Sequence, residues 1–110
     1  MARAHLAEFE LMVLLAVIRL GDNAYGVPIS HEIENRTGRE ASLGSVYASL
    51  ERLEDKGFVH SRLGERTAER GGRAKRYFGI TAQGLRAVRD SQRALTALWH
   101  GLPQLEGGNA

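Results

Sequence analysis

The amino-acid sequence predicts a mainly α fold with a single two-stranded β-hairpin. Apolar residues recur at three- and four-residue spacings before residue 57 and again after residue 81, which is typical of amphipathic helices. Two short runs between those segments are rich in Phe, Val, Tyr and Ile, which is typical of strands. With 110 residues the chain is long enough for one compact domain and too short for two.

The first predicted helix runs from about Leu6 to Leu20. Its apolar residues form a wide stripe, and Glu8 and Glu10 lie near its start, where carboxylates interact favourably with the helix dipole. The turn sequence Gly21-Asp22-Asn23 ends it. The apolar run from Leu11 to Ile18 is much shorter than the roughly 20 residues that a bilayer span needs, so we interpret it as part of a buried helix.

The second predicted helix spans about Val27 to Thr37. Pro28 falls within its first turn, where a missing N–H is harmless, and Gly26 can cap it. Gly38 is expected to follow its end with a positive φ. Its predicted buried edge consists of Tyr25, Ile29 and Ile33.

The third predicted helix begins after the N-cap Ser42 and ends near Lys56, with Gly57 as its terminator. Its predicted core stripe is Leu43, Val46, Leu50 and Leu53. The opposite face is expected to carry Ser45, Ser49 and Arg52, with Tyr47 at the border.

Two predicted strands, Phe58–Leu63 and Lys75–Ile80, form the hairpin. Thr81 then caps a final helix from about Ala82 to Leu102. A stripe of apolar residues at heptad spacing along that helix predicts a dimer interface. Its one polar residue, Gln92, either sets the register of the paired helices or reaches solvent. Its members are Leu85, Val88, Gln92, Leu95, Trp99 and Leu102.

Trp99, the only tryptophan, has two interpretations. It belongs to the core of the dimer interface, where large aromatic residues contribute much of the binding energy. Alternatively, it pairs with its symmetry mate to line a pocket for an apolar or aromatic effector.

The distribution of charge is more informative than the net charge of +2. Residues 1–55 carry five basic and nine acidic groups, whereas residues 56–110 carry ten basic and four acidic groups. Such asymmetry indicates an anionic partner, usually nucleic acid or a membrane surface. Most of the basic residues are arginines, which suit bidentate contact with phosphates and base edges.

Three helices followed by a hairpin give the order of a winged helix-turn-helix, in which the second helix of the turn motif enters the major groove of DNA. Here that helix begins at Ser42 and contains no acidic residue before Glu51, as expected of a surface that faces a polyanion. The predicted contacts are Ser42, Ser45, Tyr47 and Ser49. The alternative is an ordinary capped helix whose serines face water, with Tyr47 at the edge of the core.

The hairpin is predicted to supply the electrostatic attraction. Six basic and two acidic residues lie between Arg62 and Arg76, and a loop of this charge can follow phosphates or enter a minor groove. A solvated charged loop is the alternative. The predicted contacts are Arg66, Arg70, Arg73, Lys75 and Arg76.

Several other classes of function find no support in the sequence. The chain has no cysteine, so disulfides, cysteine nucleophiles and thiolate zinc sites are excluded. Its four histidines have no metal-ligand spacing, and no catalytic motif is recognisable. Glu8 and Glu10 are incompatible with a secretory signal. We therefore expect a cytoplasmic protein that is not an enzyme, without cofactor, metal or membrane partner.

A set of short motifs, taken in order, resembles the PadR family of transcriptional regulators. They are Tyr25-Gly26, Glu32-Ile33, Thr37-Gly38, Ser42-Leu43-Gly44-Ser45-Val46-Tyr47, Leu50, Leu53, Lys56-Gly57, Gly71-Gly72-Arg73-Ala74-Lys75-Arg76-Tyr77-Phe78 and Ile80-Thr81-Ala82-Gln83-Gly84. The resemblance covers roughly residues 6–100, and the single C-terminal helix is similar to the short subgroup of the family. It implies a winged-helix DNA-binding domain, a dimerising C-terminal helix and, usually, repression relieved by a ligand.

The resemblance also implies roles for two segments. Ser42–Tyr47 matches the start of the family's recognition helix, which adds Val46 to the candidate DNA contacts. Lys75–Tyr77 matches the wing strand, which adds Tyr77.

The sequence as a whole predicts a homodimeric, sequence-specific regulator of transcription, a ligand-responsive repressor that binds a pseudo-palindromic operator in double-stranded DNA. Residues 1–81 would form the DNA-binding domain, residues 82–102 the dimerisation helix and residues 103–110 a flexible tail. The alternative is a winged-helix interaction module whose basic wing binds an acidic protein.

Overall fold

The helices and strands follow one another in the predicted order in the structure, a computed structural model that describes residues 6–64 and 74–105. The elements are α1 (Glu8–Leu20), a short 3-10 helix (Gly21–Asn23), α2 (Gly26–Thr37), α3 (Leu43–Asp55), β1 (Val59–Leu63), β2 (Arg76–Ile80) and α4 (Ala82–Trp99). The strands form an antiparallel pair. The predicted class, mainly α with a two-stranded hairpin, is confirmed.

The helix boundaries follow from local chemistry. The Ser42 hydroxyl accepts a hydrogen bond from the Ser45 N–H at the start of α3, and the Thr81 hydroxyl accepts one from the Gly84 N–H at the start of α4. Gly38 follows α2 with a φ of 74°, a conformation that an L side chain rarely adopts. The predicted caps at these positions are therefore confirmed.

The last helix ends earlier than predicted. His100 is extended, Gly101 has a φ of 78°, and Leu102 precedes Pro103, which disfavours helical backbone at Leu102. Leu102 therefore lies outside α4 and cannot continue the heptad stripe as a helical residue.

The core lies where α1, α2 and α3 meet the base of the hairpin. Its largest fully buried residues are Val13, Leu14, Val17, Ile29, Val46, Leu50 and Leu53. Phe58, which directly precedes β1, and Phe78 of β2 close the core on the side of the hairpin. Leu43 is exposed, which corrects its predicted place in the core stripe: it lies in the first turn of α3, beyond the edge of the core.

The hairpin is joined to the helices by backbone hydrogen bonds. Its register pairs Val59 with Ile80 and Leu63 with Arg76. The Phe78 N–H donates to the Ala24 carbonyl at 2.8 Å, which ties β2 to the segment between α1 and α2. The base of the wing is therefore fixed relative to the helix-turn-helix.

Helix α4 packs on the domain through its first turns only. Ala87 and Val88 contact the core, and Gly84 is buried. Farther along, Leu95, Leu98 and Trp99 are exposed. None of the helices within residues 6–64 and 74–105 is both long enough and apolar enough to cross a membrane.

Candidate nucleic-acid interface

The first turns of α3 present small hydroxyl groups. Ser42 and Ser45 are exposed, and the Ser42 Oγ donates to the Ser45 Oγ at 2.9 Å. No carboxylate belongs to α3 before Glu51. This end of the helix can offer donors and acceptors to base edges without repelling phosphates.

Two residues predicted to contact DNA lie on the inner face of α3. Val46 is 0% exposed and Ser49 is 1% exposed. The expectation that Ser49 faces outward is wrong, because positions 46, 49, 50 and 53 share one face of a 3.6-residue helix. The Ser49 Oγ accepts a hydrogen bond from the Arg52 guanidinium at 3.2 Å. Val46 and Ser49 therefore pack α3 against the core, and their side chains are not accessible to a ligand bound on the outer face of the helix.

Tyr47 lies across the first turn of α2 and is 39% exposed. The side chain is so close to Gly26 that a Cβ atom there would overlap the phenol oxygen and come within 2.7 Å of Cε2. Tyr47 is thus an aromatic residue at the edge of the domain with part of its ring still accessible.

The turn between α2 and α3 is fixed by two side chains of α2. The Ser30 hydroxyl donates to the Ala41 carbonyl at 2.6 Å, and the Glu34 carboxylate accepts from the Ala41 N–H at 2.9 Å. These contacts hold the residue that precedes the N-cap of α3. The amphipathic pattern of α2 does not reveal these two contacts.

A cluster of aromatic rings and cations forms the base of the wing. The Tyr25 and Tyr77 rings meet edge to face, with centroids 5.3 Å apart. The Lys75 ammonium lies 4.6 Å from the Tyr25 centroid and 3.4 Å from its hydroxyl, and the Arg62 guanidinium lies 4.8 Å from the Tyr77 centroid. Tyr25, which the sequence places on the buried edge of α2, is half-buried and contacts Lys75.

Arg76, also predicted to contact DNA, is engaged within the protein. Its guanidinium pairs with the Glu54 carboxylate at 2.8 Å, and the other Glu54 oxygen accepts from the Ser61 hydroxyl at 2.8 Å. Glu54 thereby joins both strands to α3. Arg66, Arg70 and Arg73 lie outside the described residues.

Helix α4 and the start of α1 border an open groove of about 830 Å³. Its lining includes Leu6, Leu11, Leu95 and Trp99, with the Glu8 and Asp90 carboxylates at its edges. Trp99 is 58% exposed. Within the part of the chain that the structure describes, no cluster of three or more His, Asp or Glu side chains could hold a metal ion.

Comparisons with known proteins agree with this geometry. The sequence model of the family described as "Transcriptional regulator PadR-like family" matches residues 14–90. A transcriptional regulator from Clostridium thermocellum is similar in structure, with a TM-score of 0.69 at 25% identity over 81% of this chain and 83% of that chain. A PadR family transcription regulator from Clostridium difficile R20291 gives a TM-score of 0.71 at 17% identity, over 84% and 92% of the two chains.

A third similar structure is that of Bacillus subtilis PadR in complex with operator DNA. Its TM-score is 0.65 at 22% identity, over 78% of this chain and 48% of that chain. A search of the curated proteins finds no match. The fold of the chain is that of these winged-helix regulators.

Proposed function

Because this chain belongs to the PadR-like family of transcriptional regulators, we propose that it binds an operator in double-stranded DNA as a homodimer and represses transcription. Residues 1–81 are the DNA-binding domain in this proposal, and residues 82–102 are the dimerisation segment. The family consists of transcriptional regulators, so the chain is not an enzyme. Binding to DNA would place it in the cytoplasm.

One observation carries the proposal of DNA binding. Two adjacent residues, Tyr25 and Gly26, hold the recognition helix on one side and the wing on the other. Tyr47 of α3 packs on Gly26, while Lys75 and Tyr77 of the wing pack on Tyr25. The end of α3 without acidic residues and the cationic base of the wing are therefore adjacent and form one surface. DNA requires such a surface, because α3 would contact bases in the groove while the wing contacts the neighbouring phosphates.

The proposed homodimer is supported by apolar side chains that one protomer leaves uncovered. Leu98 is 77% exposed, and Leu95 and Trp99 lie on the same outer half of α4. Exposed apolar residues in one cluster mark interaction surfaces. A two-fold dimer would bind a pseudo-palindromic operator with half-sites about 34 Å apart or a multiple of that distance.

Ligand response belongs to the same proposal. Trp99 borders the groove between α1 and α4, where a planar apolar or aromatic molecule could stack on its ring. A fluorescence titration of Trp99 with such compounds tests this point. Unchanged emission with all of them would contradict a Trp99 effector site.

Selection of bound sequences from random duplex DNA, with the mass of the protein measured in solution, tests the proposed function. We expect enrichment of a two-fold symmetric sequence and the mass of a dimer. The wing could instead bind an acidic protein, and competition with unrelated duplex DNA at moderate salt separates the two functions. No enrichment of any sequence would contradict the proposal.

A further inference from the structure

The Glu10 carboxylate joins the first turn of α1 to the second half of α3. Glu10 is 3% exposed and is the one buried acidic residue within the described part of the chain. Its Oε1 atom accepts hydrogen bonds from the Ala7 N–H at 3.0 Å and from the Lys56 ammonium at 2.9 Å. Its Oε2 atom accepts from the Arg52 Nε at 3.0 Å.

The cluster continues into the inner face of α3. The Arg52 guanidinium donates a further hydrogen bond to the buried Ser49 hydroxyl at 3.2 Å. Burial alone would raise the pKa of Glu10, but the hydrogen bonds from Lys56, Ala7 and Arg52 outweigh it, so that the pKa is lowered. Glu10 is therefore ionised at neutral pH, and its bonds to Lys56 and Arg52 are charge-assisted.

These bonds supply a directional restraint that the packing of α3 does not. Burial of its apolar stripe is favourable but non-directional, whereas charge-assisted hydrogen bonds fix both distance and angle. Ser42 lies ten residues before Arg52, about 15 Å along a helix. A tilt of about 10° at Arg52 would move Ser42 by roughly 2–3 Å, which is enough to break a hydrogen bond to a base.

We propose that Glu10 is a positioning residue of the DNA interface. By holding Arg52 and Lys56, it sets the angle at which α3 presents Ser42 and Ser45, although Glu10 itself lies in another helix and contacts no DNA. This inference rests on the proposed function, because positioning matters only if α3 reads a ligand.

The substitution Glu10→Gln tests the inference, with Glu8→Gln as its matched control. Both remove one carboxylate from the first turn of α1, but Glu8 is exposed and pairs with Arg39 in the turn before α3. Loss of a negative charge by itself strengthens binding to DNA. We therefore expect Glu8→Gln to bind the selected operator as tightly as the wild type or more tightly, and Glu10→Gln to bind it at least about tenfold more weakly.

Binding to unrelated duplex DNA shows whether the loss is one of positioning. Fluorescence anisotropy, at a temperature where circular dichroism shows each variant folded, should give Glu10→Gln an unchanged or higher affinity for such duplexes. Equal operator affinities of Glu10→Gln and Glu8→Gln would overturn the inference. If Glu10→Gln does not fold, Arg52→Lys is the second variant, because it keeps the positive charge. We expect its preference for the operator over unrelated duplexes to fall severalfold. A preference equal to that of the wild type would overturn the inference.

Hydrogen exchange of the free proteins separates this inference from the proposed function. Glu10→Gln should speed amide exchange in α3 and in the first turn of α1, while Glu8→Gln leaves exchange in α3 as in the wild type. If the wild type selects no duplex, the proposed function fails, and the exchange data still decide whether Glu10 holds α3. Wild-type exchange in α3 of Glu10→Gln would overturn the inference.

Discussion

At the scale of the residue, the position of Tyr47 depends on the absence of a side chain at residue 26. A Cβ atom on Gly26 would overlap the Tyr47 phenol, so Gly26→Ala forces the ring away from α2. We expect the free energy of unfolding to fall by about 1–3 kcal/mol, as in other overpacked sites, and operator affinity to fall about tenfold. Chemical denaturation and anisotropy measure the two effects.

The background variant Tyr47→Ala is the control for this mechanism. Without the Tyr47 ring there is room for a methyl group at residue 26. In the Tyr47→Ala background, Gly26→Ala should therefore cause little further loss of unfolding free energy or of operator affinity. Additive losses in the double variant would show that Gly26→Ala acts through something other than Tyr47.

The buried Glu10 carboxylate also makes stability depend on pH. Its pKa in the folded protein is lowered from the ordinary value of 4.5 because the donors from Lys56, Ala7 and Arg52 together outweigh burial, the largest single effect, which acts to raise it. A lowered folded pKa gives stability that is complete above the unfolded value and is lost as the pH falls through the folded one. Stability contributed by Glu10 should therefore decline below about pH 4.5.

Urea denaturation at several pH values checks this expectation. The wild type should lose stability more steeply than Glu10→Gln between pH 5 and pH 3. The difference should be at most about 2 kcal/mol, because one carboxylate changes the free energy of unfolding by no more than about 1.4 kcal/mol per pH unit. Parallel curves for the two proteins would contradict the assignment of Glu10 as an ionised, hydrogen-bonded group.

At the scale of the element, α3 and the wing are expected to have different effects on binding. Ser45 is exposed at the start of α3, so Ser45→Ala should change sequence preference and leave the salt dependence unchanged. Lys75 stands at the base of the wing, so Lys75→Ala should weaken binding to all duplexes alike. It should reduce the salt slope by about 2, because the dimer loses one phosphate contact in each protomer. Affinities over a salt series test both; a Lys75→Ala variant that loses specificity at an unchanged salt slope would contradict this division.

The seating of α4 on the domain depends on Gly84. A Cβ atom there would overlap the Phe58 carbonyl oxygen and lie 2.8 Å from the Ile80 Cγ1 atom. Gly84→Ala should therefore displace the first turn of α4 and lower the free energy of unfolding by about 1–3 kcal/mol.

Gly44 offers a matched control for that substitution. It also lies in the first turn of a helix, but no atom would lie within 4 Å of an added Cβ. Gly44→Ala should raise the free energy of unfolding by roughly 0.5 kcal/mol or less, because alanine is the better helix former and its advantage is smaller in the first turn than in the helix interior. Thermal denaturation of the two variants compares these effects, and a stabilised Gly84→Ala would contradict the close packing of α4.

At the scale of the whole molecule, the sequence predicted what local chemistry determines. The caps at Ser42 and Thr81 and the left-handed glycine at residue 38 depend on neighbouring residues, and all three are found. Two other contacts join separate segments of the chain, and no periodic pattern reveals them. They are the ion pair of Glu54 with Arg76 and the hydrogen bond from Ser30 to Ala41. These contacts are specified only when the helices and hairpin have packed.

The burial of two polar residues was partly predictable, because the helical periodicity of the sequence indicates it. Glu10 precedes Val13 and Leu14 by three and four residues, and Ser49 follows Val46 by three, so both share the buried face of their helices. Polar side chains are usually exposed, because burying them without a partner is unfavourable. Here the Arg52 guanidinium donates hydrogen bonds to both Glu10 and Ser49, so that their burial is tolerated. Periodicity was the better guide at both positions.

The proposed dimer gives the last prediction. Trp99→Glu places a charge on the uncovered half of α4, and Leu63→Glu is its matched control, because Leu63 is also an exposed apolar residue but lies on β1. By sedimentation we expect the wild type and Leu63→Glu to be dimers and Trp99→Glu to be a monomer, since a charge in the centre of an apolar interface must be desolvated without a partner.

Binding to DNA should follow the oligomeric state. If a dimer neutralises about eight phosphates, log affinity against log salt has a slope near −7, and a monomer with half the contacts has a slope of about −3.5. Titrations of the wild type and Trp99→Glu with operator DNA at several salt concentrations measure both slopes. A monomeric wild type at concentrations that saturate the operator would contradict the dimer, because one domain can then read only one half-site.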